Sequence, residues 1–237
     1  MKEAEIDVSA DPKALAQRAA EWLVEQVAAS VGVCRISLSG GSTPRALYTL
    51  LADEPLRGRM PWDRLELFWG DERFVPPDHK DSNYRMTRET MLDHVPLRAD
   101  QVHPMPTDGS PEAAAEAYEA LLKRVYGSDR LDPARPFFDI TLLGMGPDGH
   151  TASLLPGADT LDERNKWVVA VSQGRPEVRL SLTYPLIDSS RAVAFLLNGA
   201  EKAEAFARIR SGDSSLPAGR VAPVGRLLWF VDRAVLG

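Results

Sequence analysis

The sequence predicts an α/β fold with a central, mostly parallel sheet and helices on its faces. Short apolar runs of strand length alternate along the chain with longer segments whose apolar residues recur at helical spacing. Two of the apolar runs, Val33–Leu38 and Asp139–Leu143, pass directly into glycine-containing turns, Ser39–Pro44 and Gly144–Gly149. In open α/β sheets, ligands bind just beyond the carboxyl ends of strands. At 237 residues and 44% hydrophobic, the chain can bury a sizeable core. No linker, repeat or low-complexity tail divides it, so residues 1–237 are read as one domain.

The elements follow in order. Ile6–Val8 reads as a short edge strand. Asp11-Pro12 is a cap and a first-turn proline, and Leu15, Ala19, Trp22, Leu23 and Val27 mark the buried face of the helix that follows. Val33–Leu38 is a buried strand leading into Ser39-Gly40-Gly41-Ser42-Thr43-Pro44. The glycines Gly40 and Gly41 allow a tight turn and close approach to a ligand. Thr43 is expected to cap the next helix, with Pro44 at its first position. Backbone N–H groups and the hydroxyls of Ser42 and Thr43 would then face an anion, which reads as a phosphate cradle. An ordinary strand–helix turn has the same composition. No lysine precedes Ser42 or Thr43 as in GxxxxGK[ST], and GxGxxG does not match either.

Leu65–Trp69 is the next strand, followed by Gly70-Asp71-Glu72-Arg73. Asp71 and Arg73 carry opposite charges, so one could organise the other beside a phosphate, although a solvated turn has the same composition. Asn83, at the start of a helix containing Met86, Met91 and Leu92, is a candidate for a sugar hydroxyl. Ser110-Pro111 opens another helix, with an apolar face of Ala114, Ala117, Tyr118, Leu121, Leu122 and Val125.

Asp139–Leu143 leads into Gly144-Met145-Gly146-Pro147-Asp148-Gly149-His150. Asp148 is expected to cap a short helix beginning at Gly149 and ending before Pro156, which would put His150 in a first helical turn. There His150 suits a general base, with Asp148 orienting the ring or holding its tautomer. The plainer alternative makes Asp148 a cap and His150 a surface residue. Trp167–Val171, Arg179–Thr183, Arg191–Leu197 and Leu227–Val231 are further strands. Lys202 falls in the first turn of a helix read as Ala200–Ile209, where the helix field favours acidic residues, and a bound phosphate would explain it.

Several classes are disfavoured. The formal charge of −6 argues against nonspecific nucleic-acid binding. Cys34 is the only cysteine, so no internal disulfide can form, and it lies in an apolar run. His79, His94 and His103 show neither HExxH nor Cys/His ligand spacing, so no metal is expected. No apolar stretch is long enough to cross a membrane as a helix, and the N-terminus lacks the apolar core of a secretory signal, so a cytoplasmic protein is expected. No GxSxG elbow makes Ser39, Ser42 or Ser153 a nucleophile.

Taken together, SLSGGSTPRALYTLL, FWGDERFVPPDHKDSNYRM, DITLLGMGPDGHTASLLPG and RLSLTYPLIDSSRAVAFLLNGAEKAEAF, with LPAGRV, closely resemble the 6-phosphogluconolactonase family from about Ile6 to Asp232. The resemblance implies a modified doubly wound α/β fold and hydrolysis of 6-phospho-D-glucono-1,5-lactone in the oxidative pentose phosphate pathway. It also implies that no metal or organic cofactor is needed and that the partner is a small sugar-phosphate lactone, with no obligate protein partner. By resemblance, His150 corresponds to the catalytic histidine, and Gly40, Gly41, Ser42 and Thr43 to the phosphate-side loop. Arg73, Arg179 and Lys202 correspond to basic positions around the phosphate, and Asp71 and Asp148 to acidic positions near the reaction centre. The main alternative is glucosamine-6-phosphate deaminase, which shares GxGxDGH but carries a glutamate five positions after the histidine. Leu155 stands there in this chain. A non-catalytic sugar-phosphate sensor on the same scaffold is the second alternative.

Overall fold

The computed structural model describes residues 4–174 and 176–237. In chain order the first half comprises β1 (Glu5–Ser9), α1 (Pro12–Ala29), β2 (Cys34–Leu38), α2 (Ser42–Ala52), α3 (Leu56–Arg59), β3 (Leu65–Trp69), β4 (Asp71–Arg73), α4 (Asn83–Thr90), β5 (Val102–His103) and α5 (Pro111–Tyr126). The second half comprises β6 (Phe138–Leu143), β7 (Val168–Val171), β8 (Arg179–Leu182), α6 (Tyr184–Asp188), β9 (Ser190–Leu197), α7 (Ala203–Arg210), β10 (Arg226–Asp232) and α8 (Arg233–Leu236).

Seven strands form one sheet in the order β1-β10-β9-β6-β2-β3-β5. All its pairings are parallel. Helices flank it, giving the Rossmann-like, doubly wound arrangement. A sheet covered in this way reads as near-continuous apolar strands, as in Leu65–Trp69 and Phe138–Leu143, because both faces are buried. From β2 the chain moves outward to β3 and β5. It then returns to β6 on the other side of β2 and continues outward through β9 and β10. The direction therefore reverses between β2 and β6, the topological switch point at which α/β folds place ligands. The two glycine turns leave from the ends of these two strands.

Local chemistry sets the helix starts. Asp11 Oδ1 accepts from Ala14 N at 2.8 Å, Pro12 occupies the first turn, and Leu15, Ala19, Trp22, Leu23 and Val27 are all buried as their spacing predicts. Helix α5 starts at the Ser110 cap and stops at Gly127, whose φ of +77° is left-handed.

A second, three-stranded sheet, β4-β8-β7, is antiparallel and was not visible as a unit in the sequence. Its first strand begins one residue after β3. Gly70 makes the junction, donating its N–H to Leu38 O at 2.8 Å and accepting from Leu182 N at 2.9 Å. The small sheet is thus anchored beyond the carboxyl end of the large one, where it forms one wall of the cleft described next.

Two local expectations are corrected. Helix α2 begins at Ser42 with Gly41 as its cap (φ +110°), so Thr43 does not cap it and Pro44 is the third helical residue, not the first. No helix begins at Gly149. Residues 144–157 form consecutive tight turns and a Thr151–Leu154 bridge, because Gly149 (φ +80°) and Ala152 (φ +47°) are both left-handed, which a right-handed helix cannot accommodate. The segment read as one helix from Ala200 is a 3₁₀ turn, Ala200–Lys202, followed by α7, with Lys202 at the joint.

Candidate active site

The two glycine turns open onto one cleft of about 220 Å³, as their placement after β2 and β6 predicts. Its lining includes Gly40, Gly41, Ser42, Thr43, Asp71, Arg73, Asn83, His150, Arg179 and Lys202. Asp148 sits at its edge through its contact with the imidazole. The residues proposed from the sequence as catalytic, phosphate-binding or sugar-binding therefore lie at this one place.

The histidine is fixed from below. Its backbone carbonyl accepts from Gly146 N at 3.0 Å, and Asp148 Oδ1 accepts from His150 N at 3.2 Å, closing a turn around the carboxylate. The same Oδ1 lies 2.5 Å from His150 Nδ1. A carboxylate only accepts, so Nδ1 carries the hydrogen and Nε2 keeps the lone pair. Asp148 thus selects a tautomer rather than capping a helix. Gly146 is required here: a Cβ at that position would stand 2.1 Å from His150 Cε1 and 2.2 Å from Nδ1. The turn is also held from behind. Ala218 N donates to Gly149 O at 2.9 Å, and Leu216 packs so closely that a Cβ on Gly149 would meet it at 2.9 Å.

The opposite wall is electropositive. Arg73 and Arg179 are direct cross-strand partners in the antiparallel β4–β8 pair. Like charges in that relation repel, and an anion between them removes the penalty. Arg73 Nη1 donates to Asp81 O at 2.5 Å, which fixes one end of its fork. Arg179 Nη2 lies 3.7 Å from Glu177 Oε2. Lys202 is half-buried, and burial pulls its pKa below the ordinary lysine value while Glu201 and Asp232 push it back up.

Two helices start at the cleft, and they differ in what satisfies their first N–H groups. At α2 the cap is Gly41, which has no side chain to bond them, so Ser42 and Thr43 present N–H groups at the cleft beside the three cations. The Thr43 hydroxyl donates to Asn198 Oδ1 at 2.6 Å, tying this turn to the end of β9. Of the two hydroxyls expected to face an anion, the Thr43 hydroxyl is therefore turned to Asn198 instead. Tyr48 pins the turn from beneath, its hydroxyl accepting from Ser39 N and donating to Ser39 O at 3.0 and 2.9 Å.

At α4 the N–H groups are taken by Glu72, a residue the sequence reading passed over. Its two oxygens accept from Arg73 N, Asn83 N, Tyr84 N and Ser82 Oγ at 2.7 to 3.1 Å. Between the two helix starts sits Asp71, only 7% exposed, accepting from Ser153 Oγ at 2.8 Å and from Asn83 Nδ2 at 3.4 Å. Asn83 Nδ2 also donates to Asp71 O at 3.0 Å, so this amide serves first to hold Asp71. Its Oδ1 abuts Gly40, where a Cβ would come within 1.9 Å. Ser153 and Ser181, which bonds Ser153 N at 3.2 Å, are buried supports with no sequence motif to announce them.

The position that distinguished two readings of the sequence, Leu155, does not line this cleft. It is buried in a separate small cluster with Val169 and Val171.

Comparison with known proteins bears on the family and the fold. Residues 10–229 match the family described as glucosamine-6-phosphate isomerases/6-phosphogluconolactonase. A 6-phosphogluconolactonase of Nostoc sp. is 38% identical over 238 residues, covering 97% of this chain and 95% of the relative. The solved structure of the Trypanosoma brucei 6-phosphogluconolactonase superposes with a TM-score of 0.80 at 31% identity, over 98% of this chain and 97% of that one. A monomeric glucosamine-6-phosphate deaminase superposes as well, with a TM-score of 0.81 over 98% of this chain and all of that one, but at 20% identity it shares the fold alone.

Proposed function

The chain belongs to the glucosamine-6-phosphate isomerase/6-phosphogluconolactonase family, and from that premise we propose that it hydrolyses 6-phospho-D-glucono-1,5-lactone to 6-phospho-D-gluconate in the pentose phosphate pathway, with His150 as the general base. The observation that carries the mechanism is the placement of the Asp148–His150 pair in one cleft with Arg73, Arg179, Lys202 and the open start of α2. A sugar phosphate fits that polarity, its phosphate held by the cations and its C1 turned toward the imidazole.

The chemistry is short. His150 Nε2 takes a proton from water as the oxygen attacks C1 of the lactone. The C1–O bond to the ring oxygen then breaks, and the imidazolium returns the proton to that leaving oxygen, so the base is regenerated. Asp148 stabilises the imidazolium in between. The Gly146 and Gly149 N–H groups are already bonded within the turn, so a backbone donor to the developing oxyanion comes from Gly144 or Met145, both at the cleft. Asp71, held by Ser153 and Asn83, is an acceptor for a sugar hydroxyl and orients the ring. The phosphate anchor supplies positioning, which suits a substrate whose carbonyl is already electrophilic.

Leu155 favours hydrolysis over deamination. Ring opening and proton movement between C1 and C2 need a further acid–base group, and the side chain at this position is both aliphatic and turned into a hydrophobic cluster. The test is direct observation of lactone hydrolysis, corrected for the spontaneous reaction, in the wild type and in folded His150→Ala. The variant should be slower by about a hundredfold or more, the usual effect of removing a positioned proton-transfer group. Ammonia release from glucosamine 6-phosphate without lactone hydrolysis would overturn the assignment, and wild-type turnover in His150→Ala would remove the histidine from the mechanism.

A further inference from the structure

Strand β4 has three residues, and alternation sends their side chains to two faces. Asp71 and Arg73 point to the cleft. Glu72 points the other way, into the start of α4. It is 2% exposed, and nothing in the proposed chemistry uses it directly.

Its contacts satisfy the first two N–H groups of α4. Oε1 accepts from Arg73 N at 2.7 Å and Asn83 N at 2.8 Å. Oε2 accepts from Tyr84 N at 2.8 Å and Ser82 Oγ at 3.1 Å. The Ser82 hydroxyl in turn accepts from Arg85 N at 3.1 Å. Burial raises the carboxyl pKa, and the three backbone N–H groups work against that rise. The carboxylate bonds the main chain of two residues that reach the cleft, Arg73 and Asn83. Asn83 in turn holds Asp71 and touches Gly40, whose missing Cβ makes room for it.

From this arrangement we infer that Glu72 is a positioning residue for the substrate cleft: one buried carboxylate clasps β4 to the start of α4 and so sets together Arg73 on the phosphate side and the Asn83–Asp71 pair on the sugar side. The inference rests on the reading of the cleft as a sugar-phosphate site. Glutamine at this position keeps the shape but turns an N–H₂ group toward donors, so the clasp opens on one side. A shorter aspartate cannot span both sets of donors.

The same geometry makes the effect selective. Moving Arg73 weakens the hold on a phosphate, while His150 stands on a different loop, supported by Asp148 and Ala218. Glu72→Gln should raise KM for 6-phosphogluconolactone at least tenfold with a smaller change in kcat. It should also lower, by a similar factor, the preference for 6-phosphogluconolactone over unphosphorylated glucono-1,5-lactone. Gln101→Met is the control for stability alone. Gln101 is equally buried and bonds two carbonyls, Trp62 O and Leu65 O, at the far end of β3. Its loss should lower the denaturation midpoint and leave KM and the substrate preference unchanged.

If Glu72→Gln does not fold, Ser82→Ala replaces it. It removes one donor to the carboxylate and should raise KM about threefold. Calorimetric binding of 6-phosphogluconate separates the two layers of argument. A wild type that binds it but does not hydrolyse the lactone fails the proposed reaction, whereas the clasp is still tested by the loss of that binding in the variant. A folded Glu72→Gln protein with wild-type KM, substrate preference and 6-phosphogluconate affinity, or unchanged KM and affinity in Ser82→Ala where it stands in, overturns the inference.

Discussion

Gly146→Ala tests the proposed catalytic geometry without replacing either member of the Asp148–His150 pair. Gly146 is not in the left-handed region, so its backbone accepts alanine and the only obstacle is what the new methyl meets. It would stand 2.1 Å from His150 Cε1, where ordinary contact begins at 3.4 Å, so the ring must retreat by about 1.3 Å. Asp148 Oδ1, at 2.8 Å from the same point, must move too, so the carboxylate cannot simply follow the ring. A misplacement of about 1 Å costs a reaction roughly a hundredfold, or about 2.7 kcal/mol in the barrier. The ring has the cleft to move into, so folding should be little affected and KM should stay within a few-fold, because the phosphate anchors are on other elements. Direct observation of lactone hydrolysis at saturating substrate, beside a thermal melt, measures both. A folded Gly146→Ala enzyme with wild-type kcat would refute the claim that the position of the Asp148–His150 pair sets the rate.

Three further outcomes follow from the site and its support. Arg179→Ala should raise KM for 6-phosphogluconolactone by ten- to a hundredfold, the scale of a lost charge-assisted contact, and do much less to unphosphorylated glucono-1,5-lactone; equal effects on both substrates would contradict the phosphate assignment. Because burial lowers the pKa of Lys202, its charge is lost at a lower pH than that of an ordinary lysine, so KM should climb on the alkaline side and Lys202→Arg should move that climb to higher pH, as a KM–pH series would show. Burial also raises Asp188 from 3.8 to about 6, so the folded state holds a proton there that the unfolded state releases; its contribution is full below pH 3.8 and is lost as pH rises through 6. Asp188→Asn, which keeps the acceptor for Ala222 N, should therefore match the wild type near pH 4 and exceed it at pH 7.5 by on the order of 2 kcal/mol in denaturant melts.

The inner strands of the large sheet, β2, β3, β6, β9 and β10, were legible because they are short apolar runs, a pattern that needs no knowledge of partners, whereas the two-residue edge strand β5 was not read as a strand. The two glycine turns were legible for a related reason: each follows directly on a buried apolar strand. What failed to show was structure fixed by long-range contact. Strand β4 is three residues, two of them acidic, and as sequence it is indistinguishable from a solvated turn. It becomes a strand because β8, more than a hundred residues later, pairs with it. The expected helix at Gly149 failed for the opposite reason. Asp-Gly-His has the composition of a cap, yet the left-handed φ at Gly149 and Ala152 turns the aspartate's oxygen onto the imidazole instead.

The same contrast bears on the proposed site, in which the cleft would discriminate by charge at one end and by geometry at the other. A helix start is an anion site only while its N–H groups are unclaimed. At α2 the cap is a glycine, and the sequence leaves the helix open. At α4 a buried carboxylate already occupies the equivalent position, so a second phosphate there would meet a negative charge and no vacant donors. In the proposed reading the phosphate is thereby directed to one helix of the two, beside Arg73, Arg179 and Lys202. With that end fixed, the length of the sugar places the lactone carbonyl, and the Asp148–His150 pair needs only to hold one nitrogen in one tautomer at the far end. On that proposal, specificity rests on the distance between two loops on adjacent strands, β2 and β6, whose register is set by the parallel pairing of Ile36 with Ile140 and Ser37 with Thr141.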